Sequence, residues 1–143
     1  MIIDSHTHIF PESVYKDRSA FFENEPEFKL LYDSPKSKIS TISDLIQAMD
    51  THKVDISVIC GFPWRNPDWV KENNDAVIAA ATRNPDRIKG LACFNLFWDG
   101  AAKEAERCID AGLCGAGELA FYLSGIDQDA LERLEPVMAL LRE

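Results

Sequence analysis

His6 and His8 stand one residue apart at the end of the apolar opening "MIIDSHTHIF", with Asp4 two residues ahead of His6, in a chain that has only three histidines. Side chains alternate across a β-strand, so residues two apart share a face. If this opening is a strand, Asp4, His6 and His8 project together. Neutral imidazole is a common ligand for zinc and other divalent transition metals, and two imidazoles on one face can reach a single ion at about 2.0–2.1 Å each. The same pair also arises by chance where a polar strand end meets solvent. Glu118, following the glycine-rich "CGAG", reads by itself as a solvated loop residue. Beside the two histidines it becomes a candidate third ligand. Asp4 is a candidate for orienting a ligating histidine from behind.

These residues need elements that hold them together. Ile2–His8 reads as the first strand, and Ile42, Leu45, Ile46 and Met49 give the first helical periodicity, with Thr41 and Ser43 as cap candidates. The intervening stretch from Pro11 to Ser40 is long for a connection, yet it carries Phe21, Phe22, Phe28, Leu30, Leu31 and Tyr32. It reads as a loop that packs as a lid over a site, with an interface segment as the alternative. Asp55–Phe62 is apolar and β-branched enough for a strand buried on both faces. A helix is expected over Pro67–Arg83, with Asn66 as N-cap, Val70, Val77, Ile78 and Ala81 buried, and a stop at Asn84-Pro85. A third strand is expected over Ile88–Phe94 and a helix from an Asp99 cap to Ala111, with Gly112 just past its end. A fourth strand follows over Leu113–Leu119. A last helical segment spans Asp127–Glu143, with a break expected at Pro136.

Regular alternation of strand and helix implies a parallel sheet with right-handed crossovers, and chemistry then sits beyond the carboxyl ends of the strands. His6, His8, "GFPWRN", "FNLFWDG" and Glu118 all fall at that end. Arg65 is suited to a substrate carboxylate, and Trp64 and Asn95 join it as candidate substrate-binding residues. Packing beneath the lid is the equal alternative for Trp64. His52 falls at the opposite end of the sheet, a strand length of roughly 17–20 Å away, and is left out of the site.

With 143 residues, 46% apolar and 27% charged, the composition is that of one globular domain with no apolar run long enough to span a membrane. A net charge of −9 and scattered lysines and arginines exclude a phosphate-backbone partner. The opening lacks a basic, then apolar secretory pattern, so a cytoplasmic location is expected. Cys60, Cys93, Cys108 and Cys114 form no CxxC pair and read as buried free thiols.

On these residues the chain resembles the amidohydrolase superfamily of metal-dependent hydrolases, specifically the amidohydrolase-related group that includes aminocarboxymuconate-semialdehyde decarboxylase-like proteins. "IIDSHTHIFP" looks like the first-strand HxH signature, "GFPW" and "NPDRIKGLACFN" like the next two strand regions, and "GAGELAFY" like a fourth-strand glutamate segment. The resemblance implies an α/β fold of TIM-barrel type, (β/α)₈, typically about 250 residues in full. Residues 1–143 would be a single partial domain, the N-terminal half, with about four βα units and a long first connection. It implies that His6, His8 and Glu118 hold a divalent metal ion, with zinc the expected one. The reaction implied is hydrolysis of a carbonyl substrate by metal-activated water, with a small molecule as partner. A general-base aspartate is expected beyond residue 143, so this part alone is expected to be inactive. Decarboxylation by the same site is one alternative. Another is a non-catalytic half-barrel that forms homo-oligomers through exposed sheet edges.

Overall fold

A computed structural model describes residues 1–123 and 125–142. Among the described residues the sheet has three parallel strands in the order β1-β2-β3: β1 (Ile3–His8), β2 (Ile56–Cys60) and β3 (Ile88–Gly90). Ile3 aligns with Ile56 and His8 with Cys60, but the register slips by one residue between Asp4 and Thr7. The extra residue breaks strict alternation, and the Thr7 hydroxyl donates to the Asp4 carboxylate at 2.8 Å although the two are three apart.

The fourth strand expected over Leu113–Leu119 is reduced to one parallel bridge, Ala92 to Ala116. Backbone bonds flank it: Cys114 N–H to the Gly90 carbonyl at 2.9 Å, Ala92 N–H to Gly115 at 2.8 Å, and Gly117 N–H to Ala92 at 2.8 Å. The chain thus runs where a fourth strand should run. Gly115 and Gly117 give it no side chains to pack on a pleated surface, which weakens pairing. The third strand likewise ends at Gly90 rather than Phe94.

The connection expected as a loop is instead largely helical, with α1 (Glu12–Lys16), a 3₁₀ turn (Arg18–Phe21) and α2 (Pro26–Tyr32). Each is too short to show a helical period in sequence. Tertiary packing holds them: Phe10, Phe28 and Tyr32 close on Phe62 and Trp64, with the Phe28 and Trp64 ring centroids 4.4 Å apart. Glu25, almost fully buried, accepts from the backbone N–H of Arg65 at 2.9 Å and of Asn66 at 2.7 Å. The segment is thereby fixed to the turn after β2.

Helix α3 (Ile42–His52) starts at a capping box between Thr41 and Asp44, worth about 1 kcal/mol. Helix α4 (Pro67–Arg83) begins at Asn66, whose side chain accepts from Asp68 N–H at 2.9 Å, and ends at Asn84. Helix α5 (Ala101–Asp110) is capped by Gly100 rather than Asp99, whose carboxylate pairs with Arg133. Its far end is a Schellman turn: Gly112 at φ +96° donates to Ile109, and Leu113 donates to Cys108.

Helix α6 (Gln128–Leu140) runs straight through Pro136, against the expected break. Pro136 and Glu132, the residue whose carbonyl loses its bond, both lie on the exposed side, where solvent is available to that carbonyl. An interior proline costs about 3 kcal/mol. Complete burial of Val137 returns about 1.5–3 kcal/mol, and Leu134 and Leu140 pack beside it. Glu143, the expected end of this segment, lies outside the described residues.

The core lies between β2, β3 and the helices α4 and α5, around Ile59, Val70, Val77, Ile88 and Ala105. Cys60, Cys93 and Cys108 are buried as expected, whereas Cys114 is exposed, since its segment lies at the rim of the sheet. No helix among the described residues is long and apolar enough to cross a membrane.

Candidate metal centre

Strand β1 presents His6 and His8 from one side of its carboxyl end, and the segment bridged to β3 brings Glu118 to the same place. His6 Nε2 and His8 Nε2 are 3.0 Å apart, and Glu118 Oε2 is 3.1 Å from each. Three unshared pairs cannot face one another at this spacing without a proton or a cation among them. The donor set, two imidazole nitrogens and one carboxylate oxygen, is one that divalent transition metals take. The triangle is small enough for a single ion to reach all three corners with bonds of about 2.0–2.2 Å. The residues present therefore fit a metal ion.

The surroundings orient two of the three donors. His8 Nδ1 lies 2.8 Å from the Gly61 carbonyl oxygen, which can only accept. Nδ1 thus carries the proton and Nε2 turns its lone pair toward the triangle. The Tyr122 hydroxyl donates to Glu118 Oε1 at 2.5 Å, leaving Oε2 for the histidines. Burial and that bond hold the Tyr122 phenol well above its ordinary pKa, which keeps it a donor. His6 is largely open to solvent, so the triangle faces outward on its side. The Gly117–Glu118 peptide is cis.

Asp4 does not reach either imidazole. Its carboxylate accepts from the His6 backbone N–H at 3.2 Å and from Thr7, because the register slip turns it back on its own strand. Cys60 Sγ sits 3.6 Å from His8 Nδ1, the ring nitrogen turned away from the triangle, and burial pushes its thiol up to about 11.

A cleft of about 510 Å³ adjoins the segment that follows Glu118 and is lined by Arg65, Asn95, Trp98, Leu119, Phe121 and Tyr122, among others. Arg65 and Asn95 are brought together there. Arg65 is already paired with Glu27, and the Asn95 side-chain oxygen accepts from Phe97 N–H at 2.9 Å. Trp64 is not part of this wall: it is fully buried in the aromatic cluster, with its indole N–H on Asn73 Oδ1 at 3.0 Å. His52 ends α3, away from the site. Sequence reasoning missed the Gly61 carbonyl, which carries no side-chain signature, and Tyr122, whose one available signal was its place four residues after Glu118.

No family model matches the chain, and no curated protein matches it in sequence. Solved structures do. A 5-carboxyvanillate decarboxylase from Novosphingobium aromaticivorans, with bound manganese and 3-methoxy-4-hydroxy-5-nitrobenzoic acid, is similar at TM-score 0.76 and 14% identity over 100% of this chain and 49% of that one. A Staphylococcus aureus protein assigned as an amidohydrolase is similar at TM-score 0.67 and 22% identity, over 98% of this chain and 44% of the other. A 2,6-dihydroxybenzoate decarboxylase complexed with 2,6-dihydroxybenzoate gives 0.62 and 19%, over 97% and 48%. At these identities the likeness is one of fold, and it agrees with the resemblance read from the sequence. The chain spans about half the length of the solved structures it matches.

Proposed function

We propose that His6, His8 and Glu118 bind one divalent metal ion, and that the chain forms the first half of a (β/α) barrel that carries out metal-dependent hydrolysis in the manner of the amidohydrolase superfamily. The observation that carries this reading is the triangle of His6 Nε2, His8 Nε2 and Glu118 Oε2, with edges of 3.0–3.1 Å. When bound, such an ion supplies a Lewis acid and lowers the pKa of water for attack on a carbonyl carbon.

The chain's own groups have separable tasks. His6 and His8 give neutral nitrogen donors, and Glu118 offsets one positive charge. Tyr122 holds the outer oxygen of Glu118. Arg65 and Asn95 face the cleft, where a carboxylate or carbonyl of a small-molecule substrate would meet them. A substrate carboxylate must compete with Glu27 for Arg65, so the cleft favours ligands able to displace that pair. The first connection covers the turn that carries Arg65, in keeping with a lid role.

A second reading, decarboxylation, is favoured by the solved structures of similar fold, two of which, named above, are decarboxylases acting on or holding benzoic acids. Zinc is the ion expected from the resemblance, and manganese is the one held by the carboxyvanillate decarboxylase. Titration calorimetry of the 143-residue chain with each ion tests the common core of both readings. Wild type binds one ion, and His8→Ala and Glu118→Ala each weaken binding by at least about tenfold, the effect that loss of even an outer-shell partner produces. Equal affinity in wild type and both variants overturns the proposal.

A further inference from the structure

Asn73 lies in the middle of α4, far along the chain from either histidine, and is 1% exposed. Its amide makes three bonds. Oδ1 accepts from the Phe62 N–H at 3.1 Å and from the Trp64 indole at 3.0 Å, and Nδ2 donates to the Ile9 carbonyl at 3.1 Å. Two of these partners are informative. Ile9 directly follows His8. The Phe62 N–H belongs to the Gly61–Phe62 peptide, whose other end is the Gly61 carbonyl that accepts from His8 Nδ1 at 2.8 Å.

A peptide group is planar, so fixing its N–H fixes the direction of its C=O. The bonds therefore run in one line, from His8 Nδ1–H to the Gly61 carbonyl and, through the same peptide, from Phe62 N–H to Asn73 Oδ1. Each bond polarises the next. Gly61 is held against the amide by sterics as well: a Cβ placed on it would meet Asn73 Cγ at 2.6 Å. Only glycine lets the peptide come this close to the helix.

We propose that Asn73 is a positioning residue for His8: through the Gly61–Phe62 peptide it fixes the ring's orientation and its Nδ1–H tautomer, and so aims Nε2 at the metal site. The inference rests on the metal-site reading for its consequence, but its structural content can be read without any metal. Outer groups that orient a ligating histidine typically change metal affinity by about 10–100-fold.

The test uses the 143-residue chain labelled with ¹⁵N at histidine, at a pH well above the ordinary imidazole range, together with calorimetric titration of Mn(II). In metal-free wild type, the His8 ring is the Nδ1–H tautomer. Asn73→Ala moves His8 toward a mixture of tautomers, leaves His52 unchanged, and weakens Mn(II) binding about tenfold or more. Asn73→Asp, which loses the donor to Ile9 but keeps an acceptor for the Phe62 N–H, retains the Nδ1–H tautomer. Where circular dichroism finds the alanine variant unfolded, Asn73→Ser carries the same comparison. An Nε2–H tautomer in wild type overturns the proposal, as does a folded alanine or serine variant with unchanged His8 signals and unchanged affinity. Wild type that binds no Mn(II) but shows the tautomer shift removes the metal reading and leaves the Asn73 relay standing.

Discussion

Glu104 is a carboxylate closed inside the protein, 3% exposed in the first turn of α5. Burial pushes its pKa up, but a two-pronged bond from Arg107, at 2.8 and 2.9 Å, and the Asn74 amide at 2.9 Å outweigh it and leave the pKa lowered. The unfolded chain therefore takes up this proton at a higher pH than the folded one. Stability from Glu104 is fully present above the ordinary carboxylate range and is lost as pH falls through the lowered value. Chemical denaturation across that range should show falling stability toward acid, and Glu104→Gln should flatten the slope; equal slopes would contradict the assignment. Asn74 also accepts from Cys93 N–H at 2.9 Å, as Asn73 does for the turn after β2. Leaving such a buried group unpaired costs about 1–3 kcal/mol. Both asparagines stand at the i+3 and i+4 places of the stripe from Val70 to Val77, where apolar residues are expected, and that misplacement was the available signal.

Strand β1 leaves one edge open among the described strands. Every residue from Ile3 to His6 is exposed, Ile3 by 50%, and among the described strands only β2 pairs with it. A free parallel edge with apolar residues on it invites another strand. The homo-oligomer expected through exposed sheet edges would form at this edge when the 143-residue chain is studied by itself. Size-exclusion chromatography should show species larger than a monomer, or loss to aggregation, and a single monomer peak at high concentration would refute this. The long amphipathic helices were legible because caps and period agreed, as in α3 and α4. The short helices of the first connection were not, since aromatic packing on Trp64 rather than local pattern holds them. Pro136 misled for a related reason: it lies on the exposed side of a helix held by the burial of Val137, which the proline signal alone does not reveal.

At the scale of the whole molecule, parallel order and the convergence of strand ends were readable from the alternation of elements. The His6, His8 and Glu118 grouping was readable once that order was assumed. The orientation of the three donors was not, because it depends on a backbone carbonyl at Gly61 and a phenol at Tyr122 that approach from other segments. Trp64 could not be separated from Arg65 by sequence, since neighbours in one turn point alternately into the core and into the cleft. That these three side chains share a cation is the premise of the proposed function. Crystals grown with manganese, with diffraction recorded on both sides of the manganese absorption edge, test it most directly. An anomalous peak is expected within bonding distance of His6 Nε2, His8 Nε2 and Glu118 Oε2 together. A map with no peak at that point, or with manganese bound only elsewhere, would contradict it.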